Sequence, residues 1–481
     1  KWYHLYCSVQ RCNSALRVLN AATDEQVNGR VSRIAEMKVL RAHYYFELSR
    51  LFNKIPYFDE NVEISQYPDI PNNEFTRDEI LSMLAKEMLD AAELLPASQS
   101  EVGRIHKYIA LAYAAKIKLY QAYQQDETTH AVTSINKELL REVVSLCDQV
   151  TASNRYGLLD DFQGLDLVAN ENGKESVFAI QYSMNDGTES AGRINWSNLL
   201  NSPGGGSPYG GDGFFLPSQD LINAYQTDAN GLPDFNYQSK SDYSWAVLNN
   251  GVYTLQNTTP NVDPRLDFVV GRPTITWKTY PDKPCEGWVR DKETYGYNCA
   301  KRFWVSPESS DMFNGWPWGA SQLNWQIIRY ADILLWKAEA LIELNEGDGL
   351  ETARDLINQI RNRARNSAYV KDFNDHSKYA ANYLVNPYPA DVWNQDYARQ
   401  ALRWETRLEK ALEGERFFDL VRWGIVETTM NKYITAESDN RIYYANAHFT
   451  GGKDEYYPVP NNQYGFSGGK YVQNPGYAPF N

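Results

Sequence analysis

Apolar residues in the first third of the chain recur every three or four positions, the spacing of one face of an α-helix. Leu5, Val9, Cys12, Leu16 and Leu19 form one series, and Ile34, Met37, Leu40, Tyr44, Leu48 and Leu51 a second. Pro56, Pro68 and Pro71 mark a turn. Thr76-Arg-Asp-Glu79 then has capping-box spacing ahead of Ile80, Leu81, Leu84 and Met88, and Pro96 closes that helix. Residues 105–125 are rich in Ala and Tyr, and the small residues allow a neighbouring helix to approach closely. A further amphipathic helix is predicted over 136–152, with Cys147 as a small core hydrophobe. The series come in pairs joined by short polar turns. Residues 1–155 are therefore predicted to form tetratricopeptide-like helical pairs stacked as a solenoid, the alternative being an irregular α-domain.

From 156 to 324 the periodicity fades, and Gly, Pro, Asn and Asp become frequent. Glu175–Tyr182 reads as a short strand, Gly204–Gly213 as a flexible loop and Gln219–Gln226 as a short helix. Eight of the 13 tryptophans fall between 196 and 325, so this stretch is predicted to be an irregular insertion that carries function. Helix returns over 325–368, with Ile328, Leu335, Ala338 and Ile342 on one face and a break at Gly347-Asp-Gly349. A last helical stretch is predicted from about Asp396 to Trp423, and the Gly-, Tyr- and Pro-rich tail from 440 is expected to wrap the surface. The expectation is a mainly α protein in which the parts 1–155, 156–324 and 325–481 form one unit.

Composition narrows the function. The formal net charge is −14, which disfavours nucleic acid and anionic membrane surfaces. The chain has no run of 18 apolar residues and opens at Lys1 within a helical series, without Met. A preceding segment, with any signal and lipid-anchor cysteine, is expected outside this sequence. Cys285 and Cys299 would close a loop in an oxidising compartment, with two free thiols the equal alternative. Asp228-Ala-Asn-Gly231 with Asp234 is read as an Asn-Gly turn, because its glycine stands fourth rather than sixth as a calcium loop requires. The chain carries no HExxH, P-loop or GxGxxG string, and neither a metal, a cofactor nor a catalytic group is assigned.

Aromatic residues make up 14% of the chain. Flat rings stack on the C–H face of a pyranose, and neighbouring amide, carboxylate and guanidinium groups reach its hydroxyls. The mid-chain stretch supplies that mixture, and the candidate ligand-binding residues are Trp196, Tyr209, Trp245, Trp277, Trp288, Arg290, Tyr295, Trp316 and Trp318. Trp316-Pro-Trp318, flanked by Gly315 and Gly319, is expected to project at least one ring from a loop.

Several strings, in order, resemble the SusD/RagB family. They are Ala35–Phe46 followed by Leu51–Pro56, Asp263-Pro-Arg-Leu266, Arg329–Ala340, Leu412–Gly424, Tyr457-Pro-Val-Pro460 and Gln473–Tyr477. Asn53-Lys54 replaces the family's usual Gly-Asp. The resemblance implies a tetratricopeptide-like scaffold, lipid-anchored on the outer face of a Bacteroidota outer membrane. It implies an oligosaccharide ligand (a peptide in RagB-type members) delivered to a SusC-like TonB-dependent β-barrel transporter. A glycoside hydrolase and a purely protein-binding solenoid are the remaining alternatives. Arg329, Asp332, Glu339, Arg416, Asp419 and Arg422 are read as structural ion pairs and caps, and Trp423 and Tyr477 as packing residues.

Overall fold

The computed structural model describes every residue except 189–191, 202, 203, 205, 281–284 and 481. Gly205, inside the expected Gly-rich loop, and the side chain of Asn198 thus lie outside the description.

Five helices open the chain: α1 (Trp2–Ala21), α2 (Arg30–Phe52), α3 (Arg77–Leu94), α4 (Lys107–Ala122) and α5 (Lys137–Ala152). Each packs on the next. Thr76 caps α3 with the expected box, its side chain accepting from the Glu79 amide while Glu79 reaches back to Thr76. In α4 every alanine is buried, and both flanking helices close on it. Leu48 of the predicted series is buried, but the rest of the apolar burial of α2 falls on residues such as Ala35, Val39, Ala42, Tyr45 and Phe46, one residue round from the predicted Ile34–Met37–Leu40 positions. The reason is that α2 is covered on two sides, by α1 and α3, so a single apolar stripe does not locate its core. Asn53, where the family string has glycine, takes φ 56° and ψ −75°, a positive-φ conformation outside the left-handed helical region that glycine would adopt at less cost.

The stack resumes at α6 (Tyr330–Leu344), which packs directly on α5, followed by α7 (Gly349–Asn366) and α8 (Gln395–Glu409). The stretch between α5 and α6 is therefore an excursion from a continuous helical frame. Its two ends are joined, because Ser176–Ile180 pairs antiparallel with Trp325–Arg329. Residues 325–329 are thus strand rather than the helix expected there. Ile328 is buried, but in a pleat, and the helix begins only at Tyr330. The last predicted helix is likewise two helices. Leu412 (φ 66°) and Gly414 (φ 82°) turn the chain between α8 and α9 (Arg416–Arg422), and α10 (Val426–Glu437) follows unpredicted.

Buried ion pairs fasten the excursion to the frame. Glu409 on α8 meets Arg265, Arg329 and Arg363, and Glu405 meets Arg265 and Arg361. Glu175 bridges Arg329 and Arg363, while Glu413 bridges Arg302, Arg329 and Lys410. Asp166, with Lys278 and Arg302, together with Asp263 and Asp332 completes one connected set of seven cations and seven carboxylates. A buried charge is costly unless paired, and here the two signs balance. Of the family-string residues, Arg329 and Asp332 belong to this set, and Arg422 pairs separately with Glu339 and Asp419. Arg416 differs: its guanidinium donates to the Arg403 carbonyl and lies over Trp423. Trp423 is buried and donates to Glu339, and the Tyr477 hydroxyl donates to the Tyr456 carbonyl.

Candidate ligand-binding site

The nine residues singled out from sequence divide sharply. Tyr209, Trp277 and Trp288 are 1%, 0% and 2% exposed and form an aromatic core with Trp304. The indole N–H of Trp277 donates to the Tyr209 hydroxyl (2.9 Å), which donates to the Val305 carbonyl (2.7 Å). Trp277 and Trp288 meet edge-on at 4.9 Å. Buried in this core, with the Trp277 indole N–H and the Tyr209 hydroxyl already partnered, these rings cannot stack on a sugar. The assignment of Tyr209, Trp277 and Trp288 to ligand contact is corrected accordingly. The physical reason is that the excursion has few long elements, and large rings let short loops enclose a small core.

Trp196, Trp245, Tyr295, Trp316 and Trp318 are exposed, between 39% and 61%. They lie in two patches. The first is a shelf. The Phe313 amide donates to the Ala320 carbonyl, which sets Trp316–Trp318 at the tip of a loop whose ends Gly315 (φ 110°) and Gly319 (φ 70°) turn. The Asn195 amide donates to the Ser321 carbonyl, bringing Trp196 to the same edge. A Cβ on Gly210 would stand 3.2 Å from Trp318, so that glycine backs the indole closely. Arg290 donates to the Gly211 carbonyl and pairs with Asp212 at 3.4 Å, which ties it to the Gly-rich segment behind Trp318.

The second patch is a groove of about 560 Å³, within the range of small-ligand sites. Trp245 lines it at the start of a hairpin, Trp245–Asn249 with Val252–Gln256. Asn250 and Gly251, both at positive φ, form the two-residue turn that favours right-twisted hairpins. Around the indole stand Asp242, Lys292, Glu293, Asn298 and Arg441. Arg441 is 8% exposed and donates to the Asn440 carbonyl. Tyr295 stands beside the groove and faces Tyr443 at 6.1 Å. The segment from Arg290 to Tyr297 thus runs from the shelf to the groove. Lys292, Asp242 and Arg441 were not singled out from sequence. Arg441 had no local signal, because it arrives from the tail, whereas the hairpin that presents Trp245, not among the predicted elements, carried one in Asn250-Gly251 between apolar runs.

A larger cleft, about 950 Å³, opens beside residues 159–170. No tryptophan lines it, and Lys278 within it is already paired with Asp166. Glu171, near this cleft, is pushed up to about 7, first by burial. On α10, Glu437 is also pushed up to about 7 by burial; one oxygen accepts the Asp220 amide, and the other is buried with no partner. Asp228 accepts from the Asn230 and Leu232 amides around Gly231, the turn expected from sequence. Among the described residues no group of three or more His, Cys, Asp or Glu is placed to hold a metal ion, and no helix is long and apolar enough to cross a membrane.

A helical-pair frame carrying a loop-rich insert with exposed indoles defines a class of binding scaffold. Residues 174–477 match the family model described as "SusD family", and residues 1–119 match one described as "Starch-binding associating with outer membrane". The chain belongs to the SusD family. It is similar to a SusD-like protein of Bacteroides ovatus, 22% identical over 88% of this chain. It is also similar to SusD-like protein P2 of Formosa agariphila, 24% identical over 99%. The chain spans 65% of the length of the first and 80% of the second. Among solved structures it resembles surface glycan-binding protein A of Bacteroides thetaiotaomicron in complex with laminarihexaose. The TM-score is 0.64 at 19% identity, over 98% of this chain and 84% of that one.

Proposed function

We propose that the chain is an oligosaccharide-binding protein that works at the outer membrane and hands its ligand to a partner transporter without chemically altering it. The observation that carries this reading is the pairing of open indoles with polar groups. Trp245 stands over a groove rimmed by Asp242, Asn298, Lys292 and Arg441, and Trp196, Trp316 and Trp318 form a shelf nearby. Stacking and hydroxyl recognition require both kinds of group, and neither requires a proton transfer. The relative solved with laminarihexaose supports a glycan ligand, and the family description supports the outer membrane. Lipid anchoring on the cell surface and a SusC-like TonB-dependent β-barrel as the partner belong to the same proposal, and membership of the SusD family supports them.

Calorimetric titration of the purified chain with a panel of oligosaccharides tests the reading. Binding in the micromolar to millimolar range, about −8 to −4 kcal/mol, is expected for at least one glycan. Silence across the panel with binding to peptides would move the chain to the RagB-type reading, and release of shorter sugars during the titration would make it a glycoside hydrolase.

A further inference from the structure

Two of the five cysteines meet in the aromatic core behind the candidate site. Cys285 is 1% exposed and Cys299 is fully buried, both packed with Trp277 and Trp288. Cys299 opens a two-residue strand in which it stands directly opposite Gly271. Facing residues of an antiparallel pair hold their Cα atoms about 5 Å apart. A Cβ placed on that same Gly271 would lie 2.6 Å from the Cys285 Sγ. Both thiols therefore flank one glycine, which lacks the side chain that would separate them. Burial, and after it the neighbouring Cys299 thiol, pushes the Cys285 thiol well above its ordinary range. Cys285 also holds φ 56°, a conformation that residues with a Cβ rarely adopt, and this turn directs its side chain inward. Cys7 and Cys12 lie on α1 and Cys147 lies on α5, both in the helical frame.

We propose that Cys285 and Cys299 form an intrachain disulfide that closes the segment carrying Arg290, Lys292, Tyr295 and Tyr297. In this structure both are free thiols. The closed loop would brace the stretch that links shelf and groove. The outer-membrane reading enters only through the oxidising compartment it supplies. The oxidant is a disulfide. One thiol loses its proton and attacks a sulfur of the oxidant, releasing one thiolate. The second cysteine thiolate then displaces the remaining half, so one Sγ–Sγ bond forms and two electrons leave with the reduced oxidant. A buried thiol with raised proton affinity is a poor nucleophile, so the bond forms while the segment is still open during folding.

The full chain, refolded with oxidised and reduced glutathione and digested in acid without reductant, tests this. The expected product is two hydrogens lighter than the reduced chain and yields a peptide joining Cys285 to Cys299. Trypsin then cuts after Arg290 and Lys292 several-fold more slowly than in the reduced chain. The Cys285→Ala/Cys299→Ala double variant, checked for native helix content by circular dichroism, loses the protection. Five alkylatable cysteines after refolding, or a bridge to any other cysteine, overturns the proposal. A bridge that forms with glutathione but never in the chain exported to an oxidising compartment supports the pairing and counts against the outer-membrane reading instead.

Discussion

Glu409→Gln is the substitution that most sharply tests how the excursion is held. The carboxylate is fully buried and lies against three guanidiniums: Arg265 at 3.2 Å, Arg329 at 3.1 Å, and Arg363. These groups come from the insert, from its exit strand and from α7, so one side chain joins three parts of the chain. Burial raises its proton affinity, but Arg363, Arg329 and Arg265 more than reverse this and hold it below the usual carboxylate range. Glutamine keeps the shape and removes the charge, leaving seven buried cations against six carboxylates. Breaking a buried pair by removing one partner costs about 3–5 kcal/mol, a large part of the roughly 5–15 kcal/mol that holds a typical fold together. Urea unfolding at pH 7 should show that loss. A group with a lowered folded value gives stability that is present above its unfolded value, near 4.5, and is lost as pH falls toward the folded value. The gap between wild type and variant should therefore narrow in acid. A loss under about 1 kcal/mol at pH 7, or a gap that widens in acid, would refute the reasoning.

Gly271→Ala should destabilise the fold by about 1–3 kcal/mol in thermal unfolding, because its Cβ would stand 2.3 Å from the Trp277 ring and 2.6 Å from the Cys285 Sγ. Trp277→Ala should cost about 3–5 kcal/mol of stability, the signature of a core ring rather than a ligand platform. Glu437→Gln should raise the melting temperature at pH 8 and leave it nearly unchanged below pH 4.5. A carboxylate with its folded value raised to about 7 favours folding at low pH and opposes it increasingly between 4.5 and 7, by about 3 kcal/mol at most.

The helical frame was largely legible because its signals are local. Thr76 and Glu79 cap as their spacing requires, and the small residues of 105–125 do admit neighbours on both sides. The strand at Glu175–Tyr182 was legible in the same way, but its partner at Trp325–Arg329 was not. A short stretch with Trp325, Ile327 and Ile328 just before a long helix looks like that helix's first turn, and only a contact about 150 positions away decides otherwise. The same limit divided the tryptophans. Trp316 and Trp318 carried a local signal in their flanking glycines and proved exposed. Trp277 and Trp288 look equally suited to a site in sequence, and what buries them is a core assembled from four separate loops. Arg441 reaches the groove from the tail, so no windowed reading places it beside Trp245.

The central claim is that a frame of paired helices holds open rings that do the binding. Titrating Trp245→Ala and the Trp316→Ala/Trp318→Ala pair with the tightest glycan from the panel tests it most directly, with unfolding measured on the same samples. The account predicts that each stacking ring removed weakens binding by about 1–3 kcal/mol, roughly 5- to 150-fold, with the melting temperature held within a degree or two. Unchanged affinity in both variants, with the fold intact, would contradict it.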